Sequence, residues 1–486
     1  MRTPDGAGRV GEVGAAASAR SARNMRVEAL RVAAIAGISV FHVFQTWFAA
    51  AAVATPVDEL DGAARVLAEH PGAMWVLGLI ALLGAGGNHV FYMISGFYLI
   101  PSAARRSRDA GYWRSQGKAW LRRAALIVAS VAVCAAVACV VNLAVPVPGI
   151  GSAHWLGLGL EFVWLYLVFV SCAPILGWLF ARIPIRVLWT LACVVLVAVY
   201  ALNAYIAFVS PEGGRGLGDW RKLMSALTYA VSYAFAGLLG MTLRGTARGG
   251  ARESGDAPVG LQATGLSGVS SEPCVSPTAR SAAPSRRRPV PWSRLLVVLV
   301  VLVAVAEAWM AWSGARWLLM AMSFKSTSLV SFLGATLALI AAAGSPAGSS
   351  VGSVVGCATG SASGPAVGSV TGSAVGSSAA SAATSESSAV RRSGAAVVRS
   401  RRVRDMWHRL VRMVAAGTLG FYIAQSLLGG VWHDVCDAVM TRLLGDGGGL
   451  WSAIAFGCLF AVMFLLVVAA LDRVIRQPLM RVLRLM

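Results

Sequence analysis

The sequence predicts an all-α, polytopic integral membrane protein with about ten transmembrane helices and with both termini in the cytoplasm. Hydrophobic residues make up 57% of the 486-residue chain and charged residues only 13%, and the mean hydropathy is +0.69. Apolar stretches of about 20 residues, the length that crosses a bilayer, recur along the chain. Basic residues concentrate in alternate loops, which is the distribution that keeps those loops in the cytoplasm.

Ten apolar runs are each long enough to be a transmembrane helix. They cover roughly residues 29–52, 75–100, 121–146, 155–180, 185–208, 223–244, 294–313, 324–343, 411–431 and 450–472. The formal charge of +21 does not indicate nucleic-acid binding, because the basic residues are spread over alternate loops. Arg105 and Arg106 follow the second run, whereas Asp58 and Glu59 follow the first. We therefore expect a multi-pass protein of the plasma membrane that contacts anionic lipid and no nucleic acid.

Two segments interrupt the membrane pattern. Residues 245–293 are rich in Gly, Ser, Pro and Arg, and residues 344–410 consist mostly of Gly, Ala, Ser, Val and Thr. Because these compositions bury too little apolar surface to offset chain entropy, both segments are predicted to be disordered cytoplasmic linkers. The predicted divisions are a basic tail (1–27), six helices (28–244), the first linker (245–293), helices seven and eight (294–343), the second linker (344–410), and helices nine and ten with a basic tail (411–486).

The first apolar run contains three ionisable residues, Glu28, Arg31 and His42. Such groups are costly inside a bilayer and therefore mark candidate functional sites. Eleven residues at about 100° each bring His42 to within roughly 20° of the Arg31 face, about 16 Å further along the helix. One face thus carries a guanidinium near the membrane surface and an imidazole in the interior. That arrangement suits a long, phosphate-bearing ligand such as acyl-coenzyme A.

Five short motifs resemble those of the membrane acyltransferase-3 family, whose members O-acylate cell-surface glycans and other acceptors. They are Arg31-x10-His42 within EALRVAAIAGISVFHV, FYMISGFYLI at 91–100, KAWLRRAALI at 118–127, GTLGFYIAQSLL at 417–428 and IRQPLMRVL at 475–483. Their order and spacing cover nearly the whole chain outside the two linkers. Gln425 stands where the family often has a histidine, so we do not expect the ninth helix to supply an acid or a base.

The resemblance implies an O-acyltransferase, most simply an O-acetyltransferase. It would move an acetyl group from cytoplasmic acetyl-CoA to a hydroxyl of a cell-surface polysaccharide or of its lipid-linked precursor. His42 is the predicted base, because imidazole titrates near physiological pH. Arg31, Arg122 and Arg123 are predicted to bind the phosphates of the donor, and Ser95 its amide groups. Acyl-CoA is then a substrate, and no permanently bound cofactor or metal is predicted.

Two acids, Glu161 and Glu307, lie within apolar runs at a depth close to that of His42. Either carboxylate is a candidate to orient or charge-balance the imidazole, as an acid does in arrangements of nucleophile, base and orienting group. The alternative for each acid is a structural hydrogen bond between helices.

The other candidates also have alternatives. His42 is alternatively a buried residue that links two helices, or one that lines a pore. Arg31 is alternatively a cation that snorkels to the membrane interface. Arg122 and Arg123 are alternatively positive charges that set the membrane topology. For the whole chain, the alternative is a transporter or flippase in which His42 and the two intramembrane acids relay protons. A third possibility is a non-catalytic exporter or assembly component of the same family.

Three predicted outer loops are expected to contribute to the choice of acceptor. They span residues 53–74, 209–222 and 432–449. His433 lies in the last of these loops and, like His70 and His154, is assigned no role. Trp432 beside it is interpreted as a residue of the interfacial aromatic belt.

Overall fold

The computed structural model describes residues 24–53, 55–157, 160–209, 218–253, 292–323, 328–344, 405–445 and 449–483. Within these ranges every regular element is helical, which confirms the all-α prediction. Eight of these helices are long and apolar enough to cross a membrane, or nine when one bent pair is counted as a single span. The architecture is therefore that of a multi-pass membrane protein. Most of the two predicted linkers, residues 254–291 and 345–404, lies outside the described residues, whereas residues 245–253 and 405–410 at their ends are helical and not disordered as predicted.

The helices are numbered here in chain order. They are α1 Met25–Ala51, α2 Gly62–Ala68, α3 Pro71–Arg106, α4 Tyr112–Asn142, α5 Glu161–Phe180, α6 Ile185–Val209, α7 Gly218–Glu253, α8 Trp292–Trp312, α9 Arg316–Ser323, α10 Leu329–Ala343, α11 Asp405–Ala416, α12 Thr418–Leu427, α13 Gly429–Gly445, α14 Gly449–Leu471 and α15 Gln477–Val482. A π-helical turn at Asp472–Arg476 joins α14 to α15. We call the end of the bundle at which α1 begins and α3 ends the basic end, because α3 closes there with Arg105 and Arg106.

The eighth and ninth apolar runs do not form single span-length helices. The eighth run contains α10, which has only 15 residues and follows the eight-residue α9. The ninth run is divided at Gly417, where α11 and α12 meet at an angle of 50°. Hydropathy did not predict these divisions, because a break or bend leaves the apolar composition of the segment unchanged. The sixth run also forms a longer helix than its apolar part, since α7 continues to Glu253.

The segment 432–449, predicted as an outer loop between two spans, is mostly helix α13, which is not one of the candidate spans. This helix packs along α14 and buries Trp432, Cys436 and Met440, whose spacing of four residues defines one apolar helix face. Asp434 and Asp437 lie between these positions and lower the hydropathy of the segment. This amphipathic helix therefore has the low hydropathy that is typical of a loop between spans.

Helix α3 is the centre of the described bundle and packs against α1, α5, α7, α8 and α10. Glycines allow its close approach to α1. A Cβ on Gly84 would lie 2.3 Å from the Cβ of Phe41, and a Cβ on Gly87 would lie 2.7 Å from the carbonyl oxygen of Ala34. Such contacts between small residues are the usual means of packing helices in membranes. Residues later in α3 contact residues earlier in α1, so the two helices are antiparallel.

The glycine of the second motif, Gly96, has a packing role against α7. A Cβ at this position would lie 2.1 Å from the backbone carbonyl oxygen of Tyr233, a contact that no side-chain rotation relieves. We expect Gly96→Ala to force α3 and α7 apart, at a cost of about 1–3 kcal/mol or more. The thermal unfolding midpoint of the purified protein in detergent should fall accordingly.

The matched control is Gly334→Ala in α10, where an added Cβ meets nothing within 4 Å. Alanine is the better helix former by about 0.5–1 kcal/mol, so this variant should unfold at the wild-type temperature or above it. Equal midpoints for Gly96→Ala and the wild type would contradict the packing role.

A buried ion pair fixes the end of α14. Asp472 and Arg476, each 4% exposed, pair within the π-helical turn, and Gln477 donates to Asp472 at 2.8 Å. Arg476 also donates to the Ser130 hydroxyl of α4 at 3.2 Å. The Asp472 carboxylate lies against Gly420 in the first turn of α12. This turn therefore joins α4, α12 and α14 and brings the fourth and fifth sequence motifs into contact.

Candidate active site

His42 lies in the second half of α1, on a side of the helix that faces the protein. Its neighbours Val43 and Phe44 are buried, whereas the imidazole itself is only partly buried. The side chain of Gln45, almost one turn further along, hydrogen-bonds the imidazole. His433 of α13 lies close enough to interact with it electrostatically. The structure thus brings to His42 a second histidine that sequence analysis assigned no role.

Polar atoms that lack partners concentrate in the segment 422–437. Among the described residues, buried side-chain atoms of this segment without a hydrogen-bond partner are Tyr422 Oη, Gln425 Oε1 and Nε2, Trp432 Nε1, His433 Nδ1 and Asp437 Oδ1. Buried polar groups in folded proteins are nearly always hydrogen-bonded. A cluster of lone ones beside a histidine is therefore a candidate ligand site.

The alignment of α1 with the segment 421–432 shows where these groups lie relative to His42. Ile35 shares a buried cluster with Phe421 and Ala424, and Ile38 shares one with Tyr422. The Phe44 ring, in contrast, lies with the Met440 sulfur against Gly457 of α14. Gln425, next to Ala424, therefore lies nearer the level of Ile35 and Ile38 than that of His42. We call His42, Gln45 and His433 the His42 site.

His433 lies in the first turns of α13, which is not one of the helices long and apolar enough to span a membrane. Burial lowers the pKa of His433 to about 4, and the smaller effect of Asp434 opposes this shift. Burial also raises the pKa of Asp437, and Asp434 adds to that shift. His433 is therefore neutral at neutral pH, so one ring nitrogen donates a hydrogen bond and the other accepts one.

Glu161 is not among the described contacts of His42. It is the first residue of α5, is exposed, and interacts electrostatically with Tyr92 of α3. The Tyr92 hydroxyl donates to the Phe162 carbonyl at 3.1 Å, within a cluster of buried aromatic rings. A role for Glu161 in orienting the imidazole stays a prediction.

Glu307 of α8 is completely buried, and neither carboxylate oxygen has a hydrogen-bond partner among the described residues. It packs against α3, where a Cβ on Gly78 would lie 3.3 Å from one of these oxygens. Gly78 is six residues, or about 9 Å, along α3 from Gly84, which packs against Phe41 beside His42. Glu307 thus lies beyond the level of His42, away from the basic end, and its role in catalysis also stays a prediction.

Arg31, the first predicted donor-binding residue, is already paired. Its Nη1 lies 2.9 Å from a carboxylate oxygen of Glu28, the partner that the spacing of three residues suggests. The Arg31 side chain is 26% exposed. Since a guanidinium carries five N–H donors in a planar fork, one contact with Glu28 leaves donors for a phosphate.

The other predicted donor-binding residues lie on α3 and α4. Arg122 is exposed, whereas Arg123 is partly buried and interacts electrostatically with Tyr233 of α7. The Ser95 hydroxyl donates to the carbonyl one turn earlier, at 3.2 Å. The backbone of Tyr233 packs on Gly96, the residue after Ser95.

Comparison of the chain with protein-family models, with curated proteins and with solved structures finds no match. The resemblance to acyltransferases therefore rests on the five motifs. The His42 site rests on the geometry of the described residues.

Proposed function

We propose that the protein is an O-acyltransferase of the plasma membrane, most simply an O-acetyltransferase that uses acetyl-CoA. The acceptor is a hydroxyl of a cell-surface polysaccharide or of its lipid-linked precursor. The observation that carries the proposal is the environment of His42, a partly buried residue inside the bundle whose imidazole hydrogen-bonds the Gln45 side chain and has a second imidazole nearby. Arg31 lies about 16 Å nearer the basic end on the same helix, which matches the reach of a pantetheine arm.

The proposed reaction needs one base. The acceptor oxygen attacks the thioester carbonyl carbon while His42 removes the proton of the acceptor hydroxyl. A C–O ester bond forms, the C–S bond breaks, and the proton on the imidazole passes to the sulfur of the leaving coenzyme A. Gln45 acts as a positioning residue, because its hydrogen bond orients the imidazole.

A transporter or flippase is the second candidate, favoured by the buried carboxyl of Glu307, which has no hydrogen-bond partner within the described part of the chain. Intramembrane carboxyl groups are typical of proton pathways. A relay also requires neighbouring groups to be within reach of one another. His42 has described contacts with Gln45 and His433. Glu307 packs against α3 at Gly78, about 9 Å along that helix from Gly84, where Phe41 packs. The acyltransferase proposal accounts for the described contacts of His42 more directly.

Binding of acetyl-CoA to the purified, detergent-solubilised protein tests the proposal. We expect saturable binding that Arg31→Ala weakens by about 10- to 100-fold, the loss expected for a hydrogen bond to a charged group. Arg65→Ala is the matched control, because Arg65 also pairs with a glutamate, Glu69 at 3.0 Å, on a short helix away from the basic end. Its donor affinity should equal that of the wild type.

Two outcomes would count against the proposal. Equal donor affinity in Arg31→Ala and the wild type removes Arg31 from the phosphate site. Absence of binding to a folded, monodisperse wild-type sample favours the transporter, with His42 as a proton carrier.

A further inference from the structure

We infer that the first three turns of α4 form a binding surface for an anionic phospholipid at the basic end of the bundle. The headgroup phosphate lies against Arg114 and Lys118, two exposed cations about one turn apart on the helix. The inference goes beyond the proposed acyltransferase function and does not depend on it.

The length of α4 places its first turns at the level of the lipid headgroups. Between residues 124 and 141 the helix carries no charged side chain, and this stretch of about 27 Å nearly fills a hydrocarbon core of about 30 Å. Residues 112–123 therefore lie outside the hydrocarbon, at the basic end. Two tryptophans mark this level, Trp113 at 54% exposure and Trp120 at 38%, as aromatic side chains do at membrane interfaces.

The charges of this segment are divided between two sides of α4. Tyr112 is buried and its hydroxyl donates to the Pro174 carbonyl of α5 at 2.7 Å, so this side of α4 faces the bundle. Arg123 lies on the same side, because about three turns separate it from Tyr112. Arg114 lies about 200° around the helix from Tyr112, and Lys118 about 240°. These two cations therefore point away from the bundle, towards the surrounding lipid.

The positive charge on the outer side has no balancing charge within the described part of the chain. Neither Arg114 nor Lys118 forms an ion pair with a described residue. Helix α4 contains no acidic residue, and the nearest acid in the preceding sequence, Asp109, comes before the helix begins. Arg122 continues the row of cations one turn after Lys118. An anionic group from outside the chain is therefore the complementary partner.

Helix α5 adds a third indole and another cation to this surface. The rings of Trp113 and Trp178 lie 6.2 Å apart, and the Arg182 guanidinium lies 4.0 Å from the centre of the Trp178 ring. A soluble phosphate compound would make no use of exposed indoles at headgroup depth. A phospholipid contacts both groups, since its phosphate meets the cations while its glycerol and upper acyl chains meet the indoles.

Native mass spectrometry of the full-length, detergent-solubilised protein tests the inference. The probes are phosphatidylglycerol and phosphatidylcholine with the same acyl chains, and we expect the wild type to bind phosphatidylglycerol more tightly. The double variant Arg114→Gln with Lys118→Gln should lose about 25-fold in affinity for phosphatidylglycerol, or about fivefold for each cation removed. Its affinities for phosphatidylcholine and for acetyl-CoA should equal those of the wild type. Arg122 is left unchanged, because it is a predicted donor-binding residue.

Two controls accompany the double variant. Arg114→Lys keeps both charges, and Arg65→Gln removes an exposed cation from the short helix α2, away from the basic end. Both should bind phosphatidylglycerol like the wild type.

Three outcomes would overturn the inference. They are equal affinities of the wild type for the two lipids, equal affinities of the wild type and the double variant for phosphatidylglycerol, and a double variant that loses acetyl-CoA binding instead of lipid binding. The last result would assign these cations to the phosphates of the donor. A wild type that binds phosphatidylglycerol through these cations but does not bind acetyl-CoA would support the inference and refute the acyltransferase proposal.

Discussion

His42→Ala should abolish acetyl transfer while the protein still folds and binds acetyl-CoA. Removal of a general base lowers the rate by about 10²- to 10⁴-fold. The imidazole has described contacts with Phe41, Gln45 and His433, and the residue is only partly buried, so we expect its loss to leave the fold intact. The measurement compares the variant with the wild type in the initial rate of acetyl transfer from saturating radiolabelled acetyl-CoA. The affinity of the same preparations for acetyl-CoA is measured alongside.

His70→Ala is the control, because His70 is exposed and lies at the start of α3, outside the His42 site. A second variant, Gln45→Leu, should lower the rate less than His42→Ala does, since it removes an orienting hydrogen bond and leaves the base in place. If His42→Ala transferred label at the wild-type rate, the base would have to be sought elsewhere.

Arg476→Met should produce the largest loss of stability among the changes considered. It removes the partner of Asp472 and leaves a carboxylate buried at 4% exposure. Breaking a buried pair from one side costs about 3–5 kcal/mol, because the remaining charge is uncompensated. The contacts of Arg476 with Ser130 and with the Ala416 carbonyl are lost as well. Unfolding by sodium dodecyl sulfate in mixed micelles measures the difference.

The double variant Asp472→Asn with Arg476→Met separates the charge effect from packing. It should be more stable than Arg476→Met alone, because no lone carboxylate remains. Arg65→Met, which breaks an exposed pair with Glu69, should change the stability by about 1 kcal/mol or less. A double variant no more stable than Arg476→Met would show that lost packing, rather than the lone charge, sets the cost.

The sequence predicted the helical membrane architecture, and the spacing of Glu28 and Arg31 indicated the ion pair at the start of α1. Hydropathy identifies helices that are apolar along their whole length, and the contact between Glu28 and Arg31 follows from their spacing within one helix. Both features depend only on residues close together in the chain. The predictions that depend on such local patterns were therefore the reliable ones.

The position of His433 near His42 could not be predicted in the same way. His433 was assigned to an outer loop and given no role, because a local sequence pattern does not show which helix a segment meets. The spacing of Trp432, Cys436 and Met440 was the available signal for α13, although it does not reveal that this helix approaches His42. The buried Glu307 shows the same limit, since its depth was read from residue counts rather than from the helix that it contacts.

Helix α12 is short, and both of its ends are held by packing. Its first turn lies against the buried Asp472 carboxylate, while Leu427 at its other end is buried with residues of α4 and α5. A ten-residue helix of about 15 Å is stiff, so a shift at one end is transmitted to the other as a displacement of the whole rod. Changes at the π-helical turn Asp472–Arg476 would therefore shift the start of α13 and, with it, His433.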